Sequence, residues 1–201
     1  MDKITSRFQN GQLALIGKGN ASILGSAPRW CRPNMFDRSV LVPFIVRWPG
    51  VVKAGTTSAA LVSTLDILPT LMEVTGAGAG QKLQLDGRSL LPLLKSERNV
   101  KWRDSYSDTY DMIYLGNNGE QPRMRMFRTD RWKLVLYEDE GGRPLDHGSW
   151  HDLFDLTNDP DELTNLYGRP SETKLQREFE ARLRDWMRDA GVERDRAKRG
   201  Q

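Results

Sequence analysis

The residues best equipped for chemistry fall in four places along the chain. Cys31 is the only cysteine. It cannot close an intramolecular disulfide, and it says nothing firm about the redox compartment. Within Cys31-Arg32-Pro33-Asn34-Met35 it sits in a Cys-x-Pro context, and it is read as an ordinary cysteine. His147 and His151, the only two histidines, stand four apart. That spacing suits one face of a helix, but Pro144, Asp146 and Gly148 favour a loop. The pair is therefore placed at the surface or in a substrate cleft, without metal. One cysteine with two histidines is a poor set for structural zinc. Asp155, Asp159, Asp161 and Glu162 could suggest calcium, but their spacing departs from an EF-hand loop, and a solvated turn is expected. Arg123, Arg125 and Arg128 alternate with Met124, Met126 and Phe127. They are read as a solvated strand face, or as a basic face toward an anionic sugar.

These groups need elements to hold them. The run Val40-Leu41-Val42-Pro43-Phe44-Ile45-Val46-Arg47-Trp48-Pro49-Gly50 is rich in aliphatic and β-branched residues, which favour a pleated, largely buried setting. Closed by Pro-Gly, it predicts a strand over 40–47 covered on both faces, as in a parallel sheet. Pro43 moves its effective start to Phe44 or toward a sheet edge. Ser63 with Asp66 approximates a capping box. Leu65, Leu68, Leu71, Met72 and Val74 recur at helical spacing, and Gly76 suits the position after a helix end. Pro69 bends this helix or sets its start. Strand, turn and helix together make a βα unit. Residues 1–35 carry little pattern and predict a long irregular loop.

The second half follows another rule. Arg123–Arg128 and Trp132–Tyr137 alternate across a short connection, which predicts an antiparallel hairpin. Ser105–Tyr114 is a further candidate strand, and Leu153–Leu156 a short edge strand. A final helix is expected from a Ser171 cap to Gly191, burying Leu175, Phe179, Leu183, Trp186, Met187 and Ala190. Glu178 with Arg182, and Glu180 with Arg184, would pair on its surface. The fold class is α/β: residues 1–100 the end of an α/β core, residues 101–201 a small antiparallel sheet with one C-terminal helix.

The 201 residues carry 38% hydrophobic and 28% charged residues, a globular balance. The net charge of +3, from 30 basic and 27 acidic residues, is too small and too mixed to suggest nucleic acid. No run approaches the length of a membrane span. Met1–Ser6 lack the apolar core of a signal peptide.

Several stretches, in order, resemble the C-terminal part of the sulfatases, in the alkaline-phosphatase-like superfamily. They are Lys18-Gly19-Asn20-Ala21, Arg32–Asp37, Val42–Gly50 and Ser63–Thr70. Further on come Asp86–Leu90, Arg128–Leu134, Leu153–Leu156 with Asn158-Asp159-Pro160, and Asn165-Leu166. The resemblance spans about residues 14–190. It implies metal-dependent hydrolysis of sulfate esters, with a sulfated ester or sulfated glycan as substrate. It also implies a formylglycine nucleophile made from Cys/Ser-x-Pro-x-Arg, and calcium held by oxygen-rich side chains. Lys18 falls where the family's sulfate-binding lysine stands, and an ammonium suits an oxyanion.

The chain departs from the family in two respects. Met35 stands where the nucleophile motif needs Arg, so Cys31 does not complete it. The family's metal-ligating Asp-His/Asn-Gly, counted back from Lys18, falls on Thr5 and Ser6, with Leu13 where a His often stands. Neutral side chains are poor replacements there, so no metal is expected on this chain alone. The expectation is a C-terminal sulfatase portion, inactive by itself, prone to associate with a missing N-terminal half or with itself. The alternative is a non-catalytic module of the same fold that binds sulfated glycan or a partner. Full-length relatives are often exported to the periplasm or the exterior.

Overall fold

The computed structural model describes residues 14–16, 35–77, 83–97, 100–111, 123–139, 142–145 and 151–190. The chain divides into two compact units, one of residues 1–18 with 42–103, the other of 19–41 with 104–201. Among the described residues, no helix is long and apolar enough to cross a membrane.

In the first unit, strand β1 (Ala14–Ile16) pairs antiparallel with β2 (Ile45–Arg47), Leu15 opposite Val46. Two expectations change here. The irregular stretch before residue 35 contains a strand. The strand expected over 40–47 is shorter, antiparallel and open: Leu41, Val42 and Ile45 are 57%, 44% and 54% exposed. Pro43 explains the shortening, since it cannot donate to a ladder. The residues before it enter a short helical turn, α1 (Asp37–Val40).

The first-unit helix forms much as its sequence dictates. Ser63 caps a 3-10 turn (Thr64–Asp66) through a complete capping box, its hydroxyl accepting from the Leu65 amide while the Asp66 carboxylate accepts from the Ser63 amide. Helix α2 (Ile67–Thr75) follows, with Pro69 in its first turn, where a missing N–H costs nothing. Gly76 ends it in the left-handed conformation, φ 69°. Helix α3 (Leu91–Leu94) is a single turn. Phe44 and Val46 face Ile67 and Leu71 of α2 and Leu90 and Leu94 across a small apolar hollow.

The second unit is a four-stranded antiparallel sheet in the order β3-β4-β5-β6, with β3 Ser105–Asp111, β4 Arg123–Thr129, β5 Trp132–Glu138 and β6 Asp152–Asp155. The β4–β5 hairpin sets Phe127 opposite Leu134 and Arg128 opposite Lys133. Alternation along these strands sends side chains to opposite faces. On one face Phe127, Leu134, Leu136 and Leu153 pack under Phe179, Leu183 and Met187 of α4 (Thr173–Asp189). The other face, with Met124, Met126, Val135 and Tyr137, is covered by Met35, with Val40, Tyr106 and Leu145 at its edge.

The last helix carries the expected stripe, except that Ala190 is exposed. Ser171 does not cap it: it lies inside a 3-10 turn (Pro170–Glu172) that precedes α4 and has no side-chain cap. Glu180 pairs with Arg184 at 3.7 Å. Arg182 instead lies over the Phe127 ring at 4.7 Å and donates to Ser105 Oγ at 3.1 Å.

Candidate functional site

The most heavily charged interior lies on the face of the sheet opposite α4. Lys133 on β5 should point away from α4, because Leu134 points toward it. Val135, two residues on, shares that face with Met35, Met124 and Met126, and Lys133 has no exposed surface. A buried ammonium needs partners. Nζ donates to Asp37 Oδ1 at 2.7 Å and to Glu162 Oε1 at 2.5 Å. The second Glu162 oxygen accepts the Asp37 amide at 2.6 Å. Arg128, one strand over, also donates to Asp37. Two cations thus meet two carboxylates drawn from α1, β4, β5 and the loop after β6.

Burial alone would raise the Asp37 carboxyl. The charge and hydrogen bond of Lys133, aided by Arg128, overcome that and hold it below its ordinary value. For Glu162 burial prevails, and its carboxyl is pushed up despite Lys133 and the Asp37 amide. Glu162 adopts a positive φ of 56°, rare for a residue with a side chain. The solvated turn expected over 155–162 therefore holds at Asp159, whose carboxylate accepts the exposed Leu163 and Thr164 amides. It fails at Glu162, and at Asp155, which Arg131 grips through two nitrogens at 3.1 and 2.7 Å.

The arginine face is corrected in the same way. Arg125 is 2% exposed and reaches Glu138 at 3.3 Å. Arg125 is a buried and Arg128 a half-buried ion-pair member, in place of the solvated face expected for them. The alternation that predicted a strand was right, but both faces of that strand are covered.

His151 is buried at 6% exposure, not at the surface. Its Nδ1 accepts the Tyr137 amide at 3.1 Å, and its ring lies 4.9 Å from that of Tyr167. Beside it Asn165 donates to the His151 carbonyl and to Asp152, and Tyr137 donates to Asp152. His151 thus ties β5 to β6. His147, Lys18 and Cys31 lie outside the described residues, as do Thr5, Ser6 and Leu13.

The first unit has its own charged hub. Asp66 has no exposed surface. Oδ1 accepts the Arg88 amide at 2.8 Å and Arg103 Nη2 at 2.6 Å, and Oδ2 accepts the Ser63 amide at 2.8 Å. One turn on, Thr70 Oγ1 accepts the Leu90 amide at 2.8 Å. Asp66 and Thr70 therefore hold two alternate amides of the Arg88–Leu90 segment, as the edge of a strand would. Gly87 lies against this ledge: a Cβ there would sit 2.0 Å from the Leu65 carbonyl oxygen.

Among the described residues, no group of three or more His, Cys, Asp or Glu side chains could hold a metal ion. Asp37 and Glu162 already share the Lys133 ammonium, so their oxygens do not form a calcium site. Spacing does not single out Lys133, and it marks Arg128 and Asp66 only as a strand-face charge and a helix cap, not as members of buried charge clusters. The signal for Lys133 was a charge at the β5 position facing the same side as Val135 and Tyr137.

The family described as "N-sulphoglucosamine sulphohydrolase, C-terminal" matches residues 29–189. The chain belongs to this sulfatase family. It is 30% identical over 175 residues to the "Ulvan-active sulfatase" of Formosa agariphila, across 77% of this chain and 34% of the relative. It is 35% identical over 137 residues to human "Arylsulfatase K", across 66% of this chain and 23% of that protein. A solved structure of a protein "in complex with its substrate D-Glucosamine-2-N, 6-O-disulfate" superimposes with a TM-score of 0.61 at 26% identity, over 77% of this chain and 30% of the other. The chain thus spans 23–34% of the length of these three proteins. The α/β fold expected from the sequence, with its antiparallel sheet and C-terminal helix, is the fold they share with it.

Proposed function

We propose that this chain forms the C-terminal portion of a metal-dependent sulfate-ester hydrolase that acts on sulfated glycans, and that it does not cleave sulfate esters alone. The observation that carries the reading is the sulfatase C-terminal match over 29–189, which takes in every described element from α1 to α4. Two relatives support the substrate class by name: the protein solved with a disulfated glucosamine and an "N-acetylglucosamine-6-O-sulfatase" of Bacteroides thetaiotaomicron.

In this reading the nucleophile comes from a Cys/Ser-x-Pro-x-Arg outside these residues. Calcium is held there too; Asp37, Glu162 and Asp155 are already engaged by Lys133, Arg128 and Arg131. Lys18 supplies a fixed positive charge to the sulfate, which stabilises the anionic transition state. The open apolar residues of the first unit, Val42, Ile45, Leu65 and Leu68 among them, are the surface on which the remainder of the sulfatase core would pack.

The test pairs the chain with a separately expressed N-terminal sulfatase portion that contains the nucleophile motif. Sulfate release is expected to require calcium and both parts, and to fall with Lys18→Ala. Release that is unchanged when this chain is omitted would contradict the reading.

A further inference from the structure

We infer that the Lys133–Asp37–Glu162–Arg128 cluster is a latch: it fastens the strap Met35–Val40 to the sheet, and it can open while the sheet stays folded. The strap's own structure is slight. It contains a single helical turn without a side-chain cap, and an isolated turn this short is not stable in water. Its apolar grip is Met35, the Phe36 ring 5.8 Å from Phe154, and the edge of Val40. Immediately after it, Leu41 and Val42 are open to solvent.

The sheet does not depend on the strap in the same way. Its opposite face is closed by Phe179, Leu183 and Met187 of α4 over Phe127, Leu134 and Leu153, whose side chains alternation sends away from Lys133 and Arg128. Opening the strap would leave that core in place. Stability within a domain is commonly divided along such lines.

The latch is also finely balanced. Glu162 enters it from a left-handed backbone conformation, which must be held by the contacts it makes. Arg128 Nε is buried there with no hydrogen-bond partner. The charged groups of the cluster are Asp37 from α1, Arg128 from β4, Lys133 from β5 and Glu162 from the loop after β6. Two carboxylates balance two cations, so loss of either negative charge leaves a buried cation short of a partner.

Amide hydrogen exchange on the purified chain tests the latch independently of any sulfatase activity. In Glu162→Gln, the amides of residues 36–41, the Asp37 amide above all, should exchange about tenfold faster or more, while amides of 124–136 and 179–187 stay within about twofold of the parent. Equal acceleration of strap and sheet would overturn the inference, as would no change in the strap. If Glu162→Gln does not fold, Arg128→Gln gives the same readout, because that guanidinium lies at the 15% exposed edge of the cluster. Failure of both variants to fold would show that the cluster supports the sheet itself, and would also overturn the latch.

Discussion

Asp66→Asn removes one charge and one acceptor from the most enclosed carboxylate of the first unit. The parent side chain has no exposed surface and takes three donors, the Ser63 and Arg88 amides and Arg103 Nη2, at 2.6–2.8 Å. An asparagine has a single side-chain oxygen. If that oxygen replaces Oδ1, the amide nitrogen faces the Ser63 N–H, and a donor meets a donor. If it is flipped, both the Arg88 amide and Arg103 lose their acceptor. An unsatisfied buried group costs about 1–3 kcal/mol, and breaking a buried ion pair about 3–5 kcal/mol. Arg103 is 13% exposed and can regain some hydration, which places the expected loss near the lower end, about 3 kcal/mol. Denaturant unfolding read by exchange of the first unit's amides measures it, with Trp102, anchored to the Leu61 carbonyl, in the same unit. Faster exchange of the Arg88 amide should accompany it. A loss below about 1 kcal/mol, or an Arg88 amide that stays protected, would refute the hub.

Three further expectations concern packing and pH. Gly87→Ala places a methyl 2.0 Å from the Leu65 oxygen and 2.4 Å from its carbon; both are backbone, so the variant should lose about 3 kcal/mol or more by denaturant titration. Leu183→Ala opens a cavity under α4 at a site with no exposure, and should cost about 2–5 kcal/mol by the same measurement. The hydrogen bond from Arg131 holds the Asp155 carboxyl at about 2 against burial, with Asn158 adding to the shift. A depressed acid contributes stability above its unfolded value near 3.8, which is lost as pH falls through about 2; Asp155→Asn should flatten the stability–pH curve across that window. Burial first, and then the neighbouring Glu180, push the Tyr167 hydroxyl up to about 12. Its contribution should persist below pH 10 and fade as pH rises through about 12, read from tyrosinate absorbance alongside the unfolding signal.

The sequence and structure agree where the signal is local. The alternation of Arg123–Arg128 with Trp132–Tyr137, the stripe Phe179–Leu183–Met187 and the Ser63–Asp66 box each lie within a few residues, and each forms the expected element. What the sequence hid is long-range. Lys133 finds Asp37 across 96 residues and Glu162 across 29, and nothing in the spacing of a lone strand lysine reveals which acids will meet it. The same blindness hid the burial of His151, expected at the surface or in a substrate cleft, whose Nδ1 accepts the Tyr137 amide. The strand near residue 45 differs from expectation in length, direction and cover because its partner, Ala14–Ile16, is three residues in a stretch rich in Gly and polar side chains. Lys18 owes its place to resemblance alone.

The most direct measurement of the central claim is hydrolysis of an aryl sulfate by the purified 201-residue chain, with calcium added and trace enzyme excluded. No turnover above background is expected, because these residues carry no complete nucleophile motif. Sustained, saturable sulfate release by this chain alone would contradict it.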